Sequence, residues 1–141
     1  MEADSQRVAD TLDWLAKAQH DLQAASTLLE ADQPLPDVAA FHAQQAAEKS
    51  LKAFLYWHDV PFRKTHQLDE LGREAVEIDS GLQELVDSVI DLTPFAWRFR
   101  YPGEPMAPGL AEIADAVARA AALHAAVLER LPSEARPGWA A

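Results

Sequence analysis

The segment Phe41-His42-Ala43-Gln44-Gln45-Ala46-Ala47-Glu48-Lys49-Ser50-Leu51-Lys52-Ala53-Phe54 most narrows what this chain can fold into. Wound as a helix at about 100° per residue, it is apolar nearly all round, with Gln45, Glu48, Lys49 and Lys52 gathered within roughly 100° of arc. Phe41 and Tyr56 extend that line at its two ends, and His42, Gln44 and Ser50 are the polar exceptions elsewhere. A helix with so wide an apolar surface belongs inside a bundle. Its polar line then either meets water or lines a cleft, and the two outcomes imply different functions.

The other segments supply helices for such a bundle. Val8, Leu15, Leu22 and Leu29 recur every seven residues, with Leu12, Ala18 and Ala25 between them, which predicts a first helix from about Ser5 to Glu30. Asp32-Gln33-Pro34-Leu35-Pro36 reads as the turn after it, and Asp37 as the N-cap of the second helix, which runs to about His58. After a connector at residues 59–64, Thr65 or His66 starts a short helix through Leu68 and Leu71 to about Val76. Leu82, Leu85, Val86, Val89 and Ile90 suggest a fourth helix between Gly81 and Pro94. The segment from Thr93 to Gly109 carries four prolines and two glycines and reads mostly as loop, with a helical turn at residues 95–99. A last helix is expected from about Pro108 to Leu131, with Leu110, Ile113, Val117, Ala121, His124, Leu128 and Leu131 on one face. The fold class expected is all-α: an antiparallel up-and-down bundle of three long helices and two shorter ones. Residues 1–132 form its one domain and 133–141 a flexible tail.

Composition removes several function classes. The 141 residues include no cysteine, which excludes disulfides, thiolate catalysis and Cys-based zinc sites. Met1-Glu2-Ala3-Asp4-Ser5 has neither a basic leader nor an apolar core, so no signal peptide is expected, and no apolar run approaches the roughly 18 residues of a membrane span. A cytoplasmic location is the matching expectation. The net charge of −11 argues against a general nucleic-acid surface, because phosphate contacts need Lys and Arg. The charge is unevenly placed, however. Residues 67–92 carry eight acids and one base, whereas residues 41–66 carry Lys49, Lys52, Arg63 and Lys64 against Glu48 and Asp59. Arg98 and Arg100 stand in a stretch, 93–103, with no acid. A local anion site is compatible with this distribution.

Three constellations are candidates for chemistry. The polar line can be a solvated seam, in which Glu48 and Lys52 make a local i,i+4 pair worth about 0.3–0.5 kcal/mol. Arg98-Phe99-Arg100-Tyr101-Pro102 sets two guanidinium groups among aromatics, a combination suited to phosphate or carboxylate recognition and to base stacking; its alternative is an aromatic anchor for the loop. His66 follows Arg63-Lys64-Thr65 at a helix start, where backbone N–H groups attract anions, or it is a simple surface histidine. No His-x-x-x-His, Glu-x-x-His, glycine-rich phosphate loop or Gly-x-Ser-x-Gly elbow occurs, so neither a metal nor a cofactor is expected. Arg119 and His124 are five steps apart on the last helix, a rotation of about 140°, so their side chains diverge and His124 reads as a buried core histidine.

The second-helix segment, Thr65-His66-Gln67-Leu68 with Leu71, and Arg100-Tyr101-Pro102 together resemble the HEPN family, in matching order over about residues 10–131. The resemblance implies a helical bundle that forms a symmetric dimer, with a cleft beside the second helix and the Arg-Tyr-Pro loop that takes a nucleotide or nucleic-acid phosphate. It also implies a nucleotidyltransferase partner, in a toxin–antitoxin-like or helper pair. Carried onto this chain, Lys49, Lys52, Arg98 and Arg100 would meet phosphate, Gln45 and His66 would hydrogen-bond, and Tyr101 would stack on or orient the ligand. Some HEPN proteins are metal-independent ribonucleases with an Arg-x(4–6)-His motif. Here no histidine follows Arg98 or Arg100 at that spacing, and Arg119/His124 meets the count away from the Arg-Tyr-Pro loop. A binding role is therefore favoured over catalysis, with an endoribonuclease toxin and a plain oligomerisation module as the alternatives.

Overall fold

Alanine decides how the helices pack. In a computed structural model that describes residues 2–99, 102–103 and 108–137, Ala39, Ala40, Ala43, Ala46, Ala47 and Ala53 of the second helix are fully buried. Small side chains on all sides let neighbouring helices close in around it. The order is α1 (Glu2–Glu30), α2 (Pro36–Trp57), α3 (Leu68–Ile78), α4 (Gln83–Val89) and α5 (Leu110–Glu129). Short 3₁₀ segments stand at Ser80–Leu82, Ile90–Ala96 and Ser133–Ala135. The helix α2 packs on α1, α5, α3 and the Ile90–Ala96 segment, so it is the axis of an all-α bundle. The expected three long and two short helices are all present among the described residues.

Several boundaries differ from expectation for local reasons. Pro36 occupies the first turn of α2, where its missing N–H costs nothing, and Asp37 lies inside that turn instead of capping it. Leu35 is the N-cap, without a side-chain cap bond, and its own N–H reaches back to the Leu28 carbonyl. At the other end Asp59 takes a left-handed conformation (φ 58°), and Val60 N–H returns to the Leu55 carbonyl, which stops α2 and turns the chain toward α3. Thr65 and His66 precede α3, whose first residue is Leu68; Thr65 Oγ1 accepts from Gln67 N–H and Thr93 Oγ1 from Leu68 N–H. On α5 the buried face is Ile113, Ala116, Ala120, Leu123 and Val127, while Leu110 and Ala121 are exposed. Of the expected face, Ile113 and His124 are buried, and His124 meets Ser50 of α2. Ala135 in the last 3₁₀ turn is fully buried, and that turn rests against α1.

Candidate functional site

The polar line of α2 meets neither open water nor an empty cleft. Its members Gln45, Glu48 and Lys52 are inside the protein, and Gln44 beside them is buried too. Two carboxylates organise it, and each holds one lysine of α2 and one histidine.

Glu48 is the first. Its Oε2 accepts from Lys52 Nζ at 2.9 Å, and its Oε1 from His66 Nδ1 at 2.7 Å and Gln44 Nε2 at 3.2 Å. Gln44 also donates to the His66 carbonyl at 3.2 Å, while Gln45 Nε2 donates to Gln44 Oε1 at 2.7 Å. The Lys52 ammonium lies 5.5 Å from the Trp14 ring centre and 5.7 Å from that of Phe62, whose rings meet edge to face. Burial pushes the Glu48 carboxyl up, but the bonds from His66, Lys52 and Gln44 and the Lys52 charge outweigh it and hold the group below its ordinary value. Glu48 and Lys52 side chains are only 4% and 7% exposed, yet the His66 side chain is 58% exposed. A carboxylate that accepts from Nδ1–H leaves Nε2 as the outward nitrogen. His66 is thus fastened from beneath and open above.

Asp21 of α1 is the second. It accepts from Lys49 Nζ at 2.7 Å and pairs with His42 Nδ1 at 2.8 Å, with its own side chain 10% exposed. Neither Asp21 nor His42 stands among the residues the sequence singled out for a site. The signal available was an acid at the level of Ala18 and Ala25, on the side of α1 that meets α2.

Of the expected site residues, Gln45, Lys52 and His66 share the Glu48 network, and Lys49 belongs to the Asp21 pair. Arg98 is exposed, its guanidinium 4.8 Å from the Phe99 ring centre. It lines a small cleft with Asp91, Phe95, Glu112, Asp115 and Arg119, and no bond among the described residues links it to the Glu48 network. Arg100 and Tyr101 lie outside the described residues. Among the described residues no cluster of three or more His, Asp or Glu is arranged to hold a metal ion, and no helix is long and apolar enough to cross a membrane.

The model of the HEPN domain matches residues 11–131, most of the chain. The chain belongs to the HEPN family. No curated protein and no solved structure gives a significant match. HEPN membership ties the chain to nucleotide- or RNA-related roles. The Arg119 and His124 side chains do not come together within the chain. Arg119 is engaged by Asp115, Asp91 and the Ser88 carbonyl, on the α4 side of α5. His124 points the other way, into the core, where its Nδ1 is 3.0 Å from Ser50 Oγ. Ser50 gives its own proton to the Ala46 carbonyl, so His124 Nδ1 donates. Burial holds the His124 ring below its ordinary value, in the neutral form.

Proposed function

We propose that this HEPN protein binds a nucleotide or a nucleic-acid phosphate, with Gln45, Lys49, Lys52, His66, Arg98, Arg100 and Tyr101 as the residues that serve it. The observation that carries the reading is the His66 ring, more than half exposed but fixed by a buried Glu48–Lys52 pair. A buried ion pair is a poor device for stability, since apolar residues of similar volume serve as well or better. Its retention beneath an exposed imidazole makes sense as support for a group that meets a ligand.

The lysines take different parts from those their charge alone suggests. Lys49 and Lys52 are neutralised by Asp21 and Glu48, so they set the positions of His42 and His66. The attraction for phosphate comes from the arginines at 98 and 100 and from exposed Lys64, beside which His66 offers an oriented ring. The protein acts as a dimer and alongside a nucleotidyltransferase, in keeping with the family resemblance. The test is calorimetric titration of the full chain with nucleoside monophosphates and a short single-stranded RNA. His66→Ala should weaken binding about tenfold or more, the scale of a lost charged hydrogen bond. Unchanged affinity would remove His66 from the site and overturn the reading.

A further inference from the structure

One turn before Gln45, the line of α2 runs into a surface cavity of about 390 Å³ lined by Asp37, Val38, Phe41, His42 and Phe99. Its size lies in the range of small-ligand sites, and its walls combine flat apolar rings with few polar groups, the usual make-up of such sites. The Phe41 and His42 rings are 5.4 Å apart at 71°, and Phe99 leans on Phe95 with centres 5.9 Å apart. Phe99 holds a left-handed backbone conformation, φ 68°, which costs an aromatic residue about 1–2 kcal/mol. The His42 ring is held through Nδ1 by Asp21, which Lys49 also grips, so one wall is rigid. Asp37 is different: its carboxylate makes no hydrogen bond or ion pair with any described residue.

We infer that this cavity is a nucleobase subsite selective for guanine, with Phe99 as a stacking surface, Phe41 as a wall of the cavity and the Asp37 carboxylate as the reader of the base edge. Aromatic rings give base affinity without sequence preference, at a scale of about 1–3 kcal/mol per base. Selection therefore falls to the one charged polar group. A carboxylate has two acceptor oxygens and no donor. Guanine alone presents two adjacent donors, N1–H and the N2 amine, to match them. Adenine and cytosine each set a ring acceptor beside their amine, and uracil flanks its one N–H with carbonyls, so each loses a bond or meets repulsion. The inference rests on the phosphate-binding reading above and names the base that accompanies the phosphate.

Titration of the full chain with GMP, IMP, AMP, CMP and UMP tests it, with UUGUU and its inosine counterpart as RNA arms. GMP should bind about tenfold or more tightly than IMP, which lacks the N2 amine, and than the other three nucleotides. Asp37→Asn, which replaces one acceptor by a donor and so matches adenine's amine and ring acceptor, should weaken GMP and strengthen AMP, removing that preference. The same guanine dependence in the RNA arm alone would assign the site to RNA; in the monophosphate arm alone, to a free nucleotide. Equal affinity for all five monophosphates and for both RNAs, or an Asp37→Asn variant that keeps full guanine preference, overturns the inference but leaves the phosphate reading standing. A guanine preference that persists in His66→Ala at full affinity supports the base subsite and overturns the phosphate reading instead. Absence of all binding overturns both.

Discussion

Replacing Glu48 by Gln keeps the shape of the side chain and removes its charge. Lys52 would then be a buried ammonium with no counter-ion, because Glu48 is its ion-pair partner and its side chain is 7% exposed. Breaking a buried pair from one side costs about 3–5 kcal/mol. Here the lower end applies, since the Trp14 and Phe62 rings near Lys52 Nζ keep part of its stabilisation. The loss should be about 3 kcal/mol, or roughly 10 °C in Tm for a domain of this size. Urea unfolding followed by tryptophan fluorescence measures it, with Trp14 as a local reporter. The double variant Glu48→Gln/Lys52→Met removes the stranded charge and should return to within about 1 kcal/mol of the parent. A single-variant cost below about 1 kcal/mol, or no recovery in the double variant, would show that the pair is effectively solvated and refute its role as a rigid support.

Two further predictions concern stability. A Cβ on Gly72 would fall well inside contact distance of Val86 Cγ1, so Gly72→Ala should destabilise by about 1–2 kcal/mol in the same assay, against the roughly 1 kcal/mol gain that helix propensity alone supplies; a stabilised variant would contradict the close α3–α4 approach. The neutral state of buried His124 and the charged state of Glu48 are both favoured by folding, so the unfolded chain binds more protons than the folded one at low pH. Stability should fall as pH drops below His124's ordinary value near 6.5, and further below Glu48's ordinary value near 4.5. His124→Gln should flatten the upper part of that slope in urea titrations across pH; an unchanged slope would contradict the assignment.

The helices were legible because their signals are local. Periodic leucines, the Pro34–Pro36 break and the alanine-rich α2 each act within a few turns, and the bundle follows from them. Helix ends were less so: Pro36 at the first turn displaced Asp37 from the cap, a choice between two good start signals that adjacent residues settle only in three dimensions. The site was partly legible. Gln45, Lys52 and His66 do come together, but in the sequence the Glu48/Lys52 i,i+4 pair at their centre reads equally well as a wet surface pair. The Lys52 ammonium lies by Trp14 and Phe62, which are distant in sequence and carry no polar signal. Asp21 was hidden for the same reason, since its partners His42 and Lys49 lie on another helix.

Five histidines distributed over the bundle offer the most direct test of a ligand face at His66. Their ring resonances can be followed by ¹H–¹³C NMR while a nucleoside monophosphate is added to the full chain. His66 and His42, each anchored through Nδ1 to a buried carboxylate, should shift in a saturable manner, and buried His124 should stay in place. Saturable shifts at other histidines with His66 unmoved would contradict the account.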